Sequence, residues 1–149
     1  MTETTVAEIA ALATLAVNGA AGAFAALRWW QVKPADAVWP LLRAGQAVAV
    51  AQALVAGVLA ITGYDPPDGL YWLYALLPIA IGFVAEQLRI VSAEQVLENR
   101  EIADAAAVGE LPEAEQRSVV LAIMRREVGV MALAALVVAS LALRAVLLL

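Results

Sequence analysis

Cysteine and histidine are both absent from this chain of 149 residues. Without them, the chain cannot form a disulfide, use a catalytic thiolate, build a zinc site of the usual kind or ligate haem through histidine. This excludes the small membrane bundles that carry haem between paired histidines. The formal net charge of −5 does not fit nucleic-acid binding, because that function needs a basic face.

Catalytic motifs are missing as well. The sequence has no Walker loop, no G-x-G-x-x-G segment after a strand, no Ser/His/Asp set and no cluster with metal-ligand spacing. We therefore expect a protein that is not an enzyme and that needs no cofactor or metal.

What the sequence does have is four long apolar runs, at 9–27, 44–63, 69–85 and 128–149. Hydrophobic residues make up 64% of the chain and the mean hydropathy is +0.84, whereas soluble domains are about 45–50% apolar. A helix needs about 20 apolar residues to cross a bilayer. The runs predict one all-α domain that crosses a membrane four times.

The positive charges are unevenly distributed. Eight of the nine cations lie between the first and second runs or between the third and fourth, and Arg144 is the exception. Cytoplasmic loops carry the excess of Lys and Arg. We therefore expect both basic gaps in the cytoplasm, both termini outside, and a location in a bacterial inner (plasma) membrane. The first residues are acidic, which favours an uncleaved first span over a signal peptide.

The predicted architecture is an integral membrane, antiparallel four-helix bundle with spans of about 6–28, 41–63, 69–90 and 126–148. Residues 85–107 contain neither proline nor glycine, so the third helix should continue past the membrane as far as a break at Gly109. Pro112 should begin the last helix. The last two helices would thus extend into a cytoplasmic helical hairpin of about 91–125, which is either a solvated surface or a docking site for another protein.

A first candidate site is a polar cluster near the middle of the membrane, made of Asn18, Gln52, Pro78 and Ser140. Polar groups in lipid need partners, so these residues should face the bundle interior. Asn18 and Gln52 can bond each other, and Pro78 leaves the carbonyl of Tyr74 without its helical partner. The cluster either holds helices together or forms a small polar cavity.

A second candidate is an ionic cluster at the inner face, formed by Arg43, Glu86, Arg89, Arg126 and Glu127. Glu86 and Arg89 share a helix face at i, i+3 spacing. Arg89 and Glu127 lie at similar distances from Gly109, so a hairpin should pair them, while Glu86 can reach Arg126 or Arg43. Such pairing is either structural or part of gating or proton handling.

Small residues recur every four positions on the second run, at Gly45, Ala49, Ala53 and Gly57. Close packing is typical of such stripes, either between the first two spans or between copies of the chain. In the first run, the stretch Asn18-Gly19-Ala20-Ala21-Gly22 followed by Arg28 resembles the first helix of small fluoride-channel proteins. The other three runs do not follow that family, so no functional residue is transferred.

Two functions remain compatible with this sequence. The first is a small non-enzymatic membrane protein that acts by association, as a subunit or scaffold of a membrane complex, with the hairpin as its docking element. The second is a small oligomeric channel or transporter whose path is lined by polar residues near the middle of the membrane. The expected partners are the lipid bilayer and either a second copy of the chain or a larger membrane complex, and not nucleic acid. An interior cavity at the level of Asn18 and Gln52 would favour transport.

Overall fold

The computed structural model describes residues 2–33 and 35–149, and this part of the chain is helical without any strand. Four of its helices are long and apolar enough to cross a membrane, which confirms the prediction of four long apolar helices. A single helical turn separates the last two of them. The helices are α1 (Glu3–Gln31), α2 (Val38–Thr62), α3 (Leu70–Glu98), α4 (Ala105–Val108) and α5 (Glu113–Val146).

The helix ends follow from local sequence. Thr2 caps α1 by accepting a hydrogen bond from the backbone N–H of Thr5 at 3.2 Å. Gly63 ends α2 in the left-handed conformation (φ 84°), as is usual for a C-terminal glycine. α1 ends in the same way, but the left-handed residue is Val32 (φ 53°), whose branched side chain disfavours that conformation.

The interior is built mainly from alanine, and the larger apolar side chains lie on the outside. Among the exposed large side chains are Ile61 (88% exposed), Leu54 (68%) and Phe83 (67%). Water-soluble proteins bury Leu, Ile and Phe preferentially. Helices packed in lipid instead use small residues at their contacts. The buried alanines are Ala7, Ala11, Ala21, Ala25, Ala49, Ala56, Ala75, Ala85, Ala132, Ala135, Ala139, Ala142 and Ala145.

The four long helices form a closed bundle in which α1 and α3 each pack against both α2 and α5. Contacts between α1 and α2 run in opposite order along the two helices. Tyr64, just after α2, bonds Thr4, and deeper in the bundle Asn18 bonds the carbonyl of Gly45. We call one end of the bundle the basic end, and the other the tyrosine end. The basic end carries Arg28, Arg43, Arg89 and Arg125, and the tyrosine end carries Tyr64, Tyr71 and Tyr74.

Glycines at Gly22, Gly45 and Gly129 allow close approaches between helices. A Cβ at Gly22 would lie 3.0 Å from the backbone nitrogen of Leu136 on α5, and one at Gly45 would lie 2.7 Å from Asn18 Oδ1 on α1. Gly57 has open space around it. Of the two glycines in the small-residue stripe of α2, Gly45 therefore packs tightly against α1 and Gly57 does not.

The end of the third helix was predicted wrongly. α3 stops at Glu98, and residues 99–104 form a turn before the short α4. Glu101 takes the left-handed conformation (φ 57°), and Ile102 N–H bonds the carbonyl of Leu97 at 3.0 Å, which closes the helix. Asp104 then caps α4 through the N–H of Ala107 at 2.9 Å.

Beyond the basic end, α3 and α5 continue side by side as two arms. Val96 on α3 and Val119 on α5 are buried here, while Val91 and Val120 are exposed. Arg100 donates to Ser118 Oγ at 3.0 Å, and Gln116 donates to the carbonyl of Leu111 at 2.7 Å. The arms thus have a small apolar contact surrounded by polar contacts.

Candidate functional site

Glu86 on α3 is the centre of an ionic cluster at the basic end. Its Oε1 pairs with Arg43 on α2 and accepts a hydrogen bond from Gln46 Nε2 at 2.8 Å. Its Oε2 pairs with Arg89 Nε at 3.1 Å. Arg89 Nη1 in turn contacts Glu127 Oε1 on α5 at 3.4 Å, which confirms the predicted Arg89–Glu127 pair. The cluster joins three helices and has equal numbers of positive and negative charges.

Arg126 does not belong to this cluster, contrary to the sequence prediction. Its Nη1 donates to Gln95 Oε1 at 3.3 Å, further along the arms. Arg126 neighbours Glu127 in sequence, and successive residues of a helix point about 100° apart, so both cannot face Arg89. The other neighbour of Arg89 is Trp39, whose ring centre lies 5.6 Å from the guanidinium carbon.

The polar residues of the middle of the bundle do not form one cluster. Asn18 is buried and donates to the carbonyls of Thr14 (3.1 Å) and Gly45 (3.0 Å). Gln52 is also buried, but it donates to the carbonyl of Ala75 at 3.5 Å, and its Oε1 has no partner. The predicted Asn18–Gln52 hydrogen bond is therefore wrong, because the two side chains point into different seams.

Ser140, unlike Asn18 and Gln52, does not face the interior. It is exposed, and its hydroxyl donates to the carbonyl of Leu136 on the same helix at 2.9 Å. A serine can satisfy its hydroxyl within its own helix and so needs no partner from a neighbouring helix. Pro78, in contrast, is buried as predicted.

A cavity of about 250 Å³ connects parts of the two predicted clusters. It lies between α2 and α3, with α5 behind it. Its polar lining comes from Arg43, Gln46, Glu86 and Asn18, and Asn18 lies near the level of Gln46 because it bonds the carbonyl of Gly45. The other lining residues are Leu42, Ala49, Val50, Pro78, Ile79, Gly82, Phe83, Ala85, Met131, Ala134, Ala135 and Val138.

The cavity is closed at its deep end and open elsewhere. Val50, Ile79 and Phe83 line it and are exposed on the apolar outer surface between α2 and α3, and Arg43 lines it and is exposed at the basic end. The buried core of the tyrosine end, which includes Leu59, Tyr71 and Ala75, contributes no lining residue. One chain thus holds a half-depth cavity and not a continuous pore.

The lining of the cavity is unevenly polar. Its walls are apolar over most of their length, and charged and amide groups are gathered at one end. This distribution matches a molecule that has an apolar part and a polar part. Among the described residues, no group of three acidic side chains is placed to hold a metal ion.

Sequence reasoning missed Gln46 and Gly82. Gln46 follows Arg43 by three residues in an otherwise apolar run, so the two share a helix face, and this spacing could have placed it in the ionic cluster. Nothing in the sequence distinguishes Gly82 from the other glycines. Its role is visible only in three dimensions, where a side chain added there would meet nothing within 4 Å.

In comparisons with known proteins, no protein-family model, no curated protein and no solved structure matches this chain. Its function must therefore be argued from its own residues.

Proposed function

We propose that this chain is a small, non-enzymatic integral membrane protein that binds a small amphipathic solute in the cavity between α2 and α3. The four long helices would cross an inner (plasma) membrane as an antiparallel bundle, with the basic end in the cytoplasm and both termini outside. This orientation is supported by the eight of nine Lys and Arg residues that lie in two gaps. Insertion is supported by the alanine interior and the large apolar exterior.

The single observation that carries solute binding is the cavity itself. Among the two functions compatible with the sequence, transport requires an interior space next to polar groups, and association does not. Asn18 lines the cavity together with Arg43 and Glu86, so a polar solute group entering from the cytoplasmic side meets hydrogen-bonding partners at the basic end. Since its deep end is closed, movement across the membrane would need a second conformation or a second copy of the chain.

Access to the cavity can be tested with single cysteines, since the chain has none of its own. Gly82→Cys places a thiol in the cavity, and Gly57→Cys places one in open space on the outer face of α2, so neither variant meets a steric conflict. A charged, membrane-impermeant thiol reagent applied from the cytoplasmic side should modify Gly82→Cys and not Gly57→Cys. Equal modification of the two variants, or of neither, would contradict a water-accessible cavity.

Transport itself can be tested by flux into liposomes containing the purified protein, with a panel of ions and small amphipathic solutes. Wild type should move at least one member of the panel. Gly82→Leu, Asn18→Ala and Glu86→Gln should slow that flux, because each changes the cavity wall, whereas Gly57→Leu should not. If no member of the panel is transported, the transport function is excluded. The cysteine experiment then tests whether the cavity is accessible to a solute.

Association through the arms of α3 and α5 is the second candidate, and one observation favours it. The arms extend past the basic end as an ordered unit, with Val96 and Val119 buried between them and mostly polar or charged side chains outside. An ordered, water-facing projection is suited to docking another protein. If extraction in mild detergent gives only free monomer with no co-purifying partner, this candidate loses its support.

A further inference from the structure

A second cavity, of about 100 Å³, lies at the basic end between the α1–α2 link and α5. It is separate from the cavity next to Glu86, with which it shares no lining residue. We call it the link pocket. Its charged lining residues are Arg28, Lys33, Asp36 and Arg125, and its aromatic ones are Trp29 and Trp39.

The link pocket has an excess of positive charge that nothing in the described residues neutralises. Three cations face one carboxylate, and the ion pairs found at the basic end involve Arg43 and Arg89 instead. Arg28 donates only to the neutral Gln31 Oε1, at 3.3 Å. Its Nε is buried and has no hydrogen-bond partner among the described residues. The guanidinium is therefore incompletely hydrogen-bonded, and its Nη nitrogens can make charge-assisted bonds to an anionic oxygen that enters the pocket.

The aromatic residues place the link pocket at a specific depth. Trp29 lies under Arg125, with 5.4 Å between the ring centre and the guanidinium carbon. Its indole also packs against α5 at Gly129, where an added Cβ would come within 2.9 Å of Nε1. Tryptophan is enriched where the hydrocarbon meets the lipid headgroups. The cations of the pocket are thus held at headgroup level.

The link turns at a strained residue. Val32 adopts a left-handed conformation, which is unfavourable for a residue other than glycine. That conformation lets Lys33 N–H bond the carbonyl of Arg28 at 3.2 Å and directs the chain back towards α2. A glycine at position 32 would allow the same turn without strain. The turn places Lys33 beside Arg28.

We propose that the link pocket binds the phosphate headgroup of an anionic phospholipid of the cytoplasmic leaflet. Arg28, Lys33 and Arg125 bind the phosphate oxygens, and Trp29 and Trp39 contact the glycerol and upper acyl chain. Basic pockets between membrane helices on the cytoplasmic side are suited to anionic headgroups. The proposal rests on membrane insertion but not on solute binding in the cavity next to Glu86.

The test compares two double variants with the same change in charge. Arg28→Gln with Arg125→Gln removes two cations from the link pocket, while Arg100→Gln with Arg117→Gln removes two from the arms. The detergent-solubilised proteins are titrated with phosphatidylglycerol, with phosphatidylcholine and with inorganic phosphate, and bound molecules are counted by native mass spectrometry. Arg125→Gln alone is a milder variant in case the pocket double variant fails to fold.

We expect one phosphatidylglycerol per chain, with phosphatidylcholine much weaker. The Kd for phosphatidylglycerol should rise about 30-fold in the pocket double variant, about fivefold in Arg125→Gln, and little in the arm double variant. Equal binding of both lipids, or equal losses in the two double variants, would overturn the proposal. Inorganic phosphate that competes at millimolar concentration would show a site for a free anion instead of a lipid, which would also overturn it.

The outcome is independent of the solute cavity. If Gly82→Cys is not modified and no flux is found, but phosphatidylglycerol binds in the charge-dependent way described, solute binding fails and the lipid site stands. If flux depends on Gly82 and the two lipids bind equally, the lipid site fails and solute binding stands.

Discussion

Single residues decide how closely the helices of this protein can approach, and Gly45 is the clearest case. Its missing side chain leaves room for Asn18, whose Oδ1 would be 2.7 Å from a Cβ at that position. Asn18 is thereby able to donate to the carbonyl of Gly45. The seam between α1 and α2 depends on this pair.

Gly45→Ala should destabilise the folded protein by about 1–3 kcal/mol, because the added methyl group meets a buried and hydrogen-bonded side chain. In an Asn18→Ala background, Gly45→Ala should lower the free energy of unfolding only slightly, since the Asn18 Oδ1 that the added methyl group contacts is absent. The measurement is a double-mutant cycle by chemical unfolding in detergent micelles. Gly57→Ala, which has open space, is the control and should be neutral or slightly stabilising. Equal effects of Gly45→Ala in the two backgrounds would contradict the contact.

Val32 offers a second prediction at the scale of one residue. Val32→Gly should stabilise the protein by roughly 0.5–1 kcal/mol, because release of the left-handed strain exceeds the entropic cost of glycine. The midpoint of thermal unfolding in detergent would show this as a rise. Val91→Gly, at an exposed position in the regular helix α3, is the control and should lower the midpoint.

Asn18 and Gln52 face the interior as predicted but do not bond each other, and Ser140 faces outward. Both errors have one cause, because depth along a helix does not fix rotation about its axis. Helices packed through alanine give few large side chains from which rotation could be inferred. The Arg89–Glu127 ion pair is present as predicted, although α3 ends at Glu98 and not at the break near Gly109 from which the pair was placed.

At the scale of whole helices, composition predicted the four long segments well and their ends less well. Apolar runs of about 20 residues leave little alternative to helices. The end of α3 was missed because the left-handed residue that closes it is Glu101, where glycine or asparagine is usual. Asp104 caps α4 inside a segment that was predicted to be one continuous helix.

The arms of α3 and α5 should unfold more easily than the rest of the bundle, since their apolar contact is small. Val119→Ala should speed hydrogen exchange of backbone amides in residues 94–122 by about tenfold, because it removes buried methyl groups worth ~1–2 kcal/mol. Exchange in α1 and α2 should stay unchanged. Val120→Ala, at an exposed position on the same helix, is the control. Uniform acceleration across all helices would show that the arms are not a separate unit.

The whole molecule has a predicted orientation that can be measured directly. Asn99→Cys places a thiol at the end of α3 beyond the basic end, and Asp68→Cys places one in the turn at the tyrosine end. On intact cells, an impermeant maleimide should label Asp68→Cys and not Asn99→Cys, and inverted membrane vesicles should give the opposite result. Labelling of Asn99→Cys from outside would reverse the proposed topology, and a chain that stays soluble without detergent would exclude insertion.

The alanine interior has a consequence for how this protein can change over time. Positions that touch another helix have almost no spare volume, so they should tolerate only the smallest side chains, while outward positions should accept nearly any apolar one. This inverts the pattern of a water-soluble bundle, in which the interior selects for bulk. Relatives of this chain would then share little beyond the spacing of their alanines and glycines. A sequence search that scores this spacing would find relatives whose overall sequence identity is too low to detect.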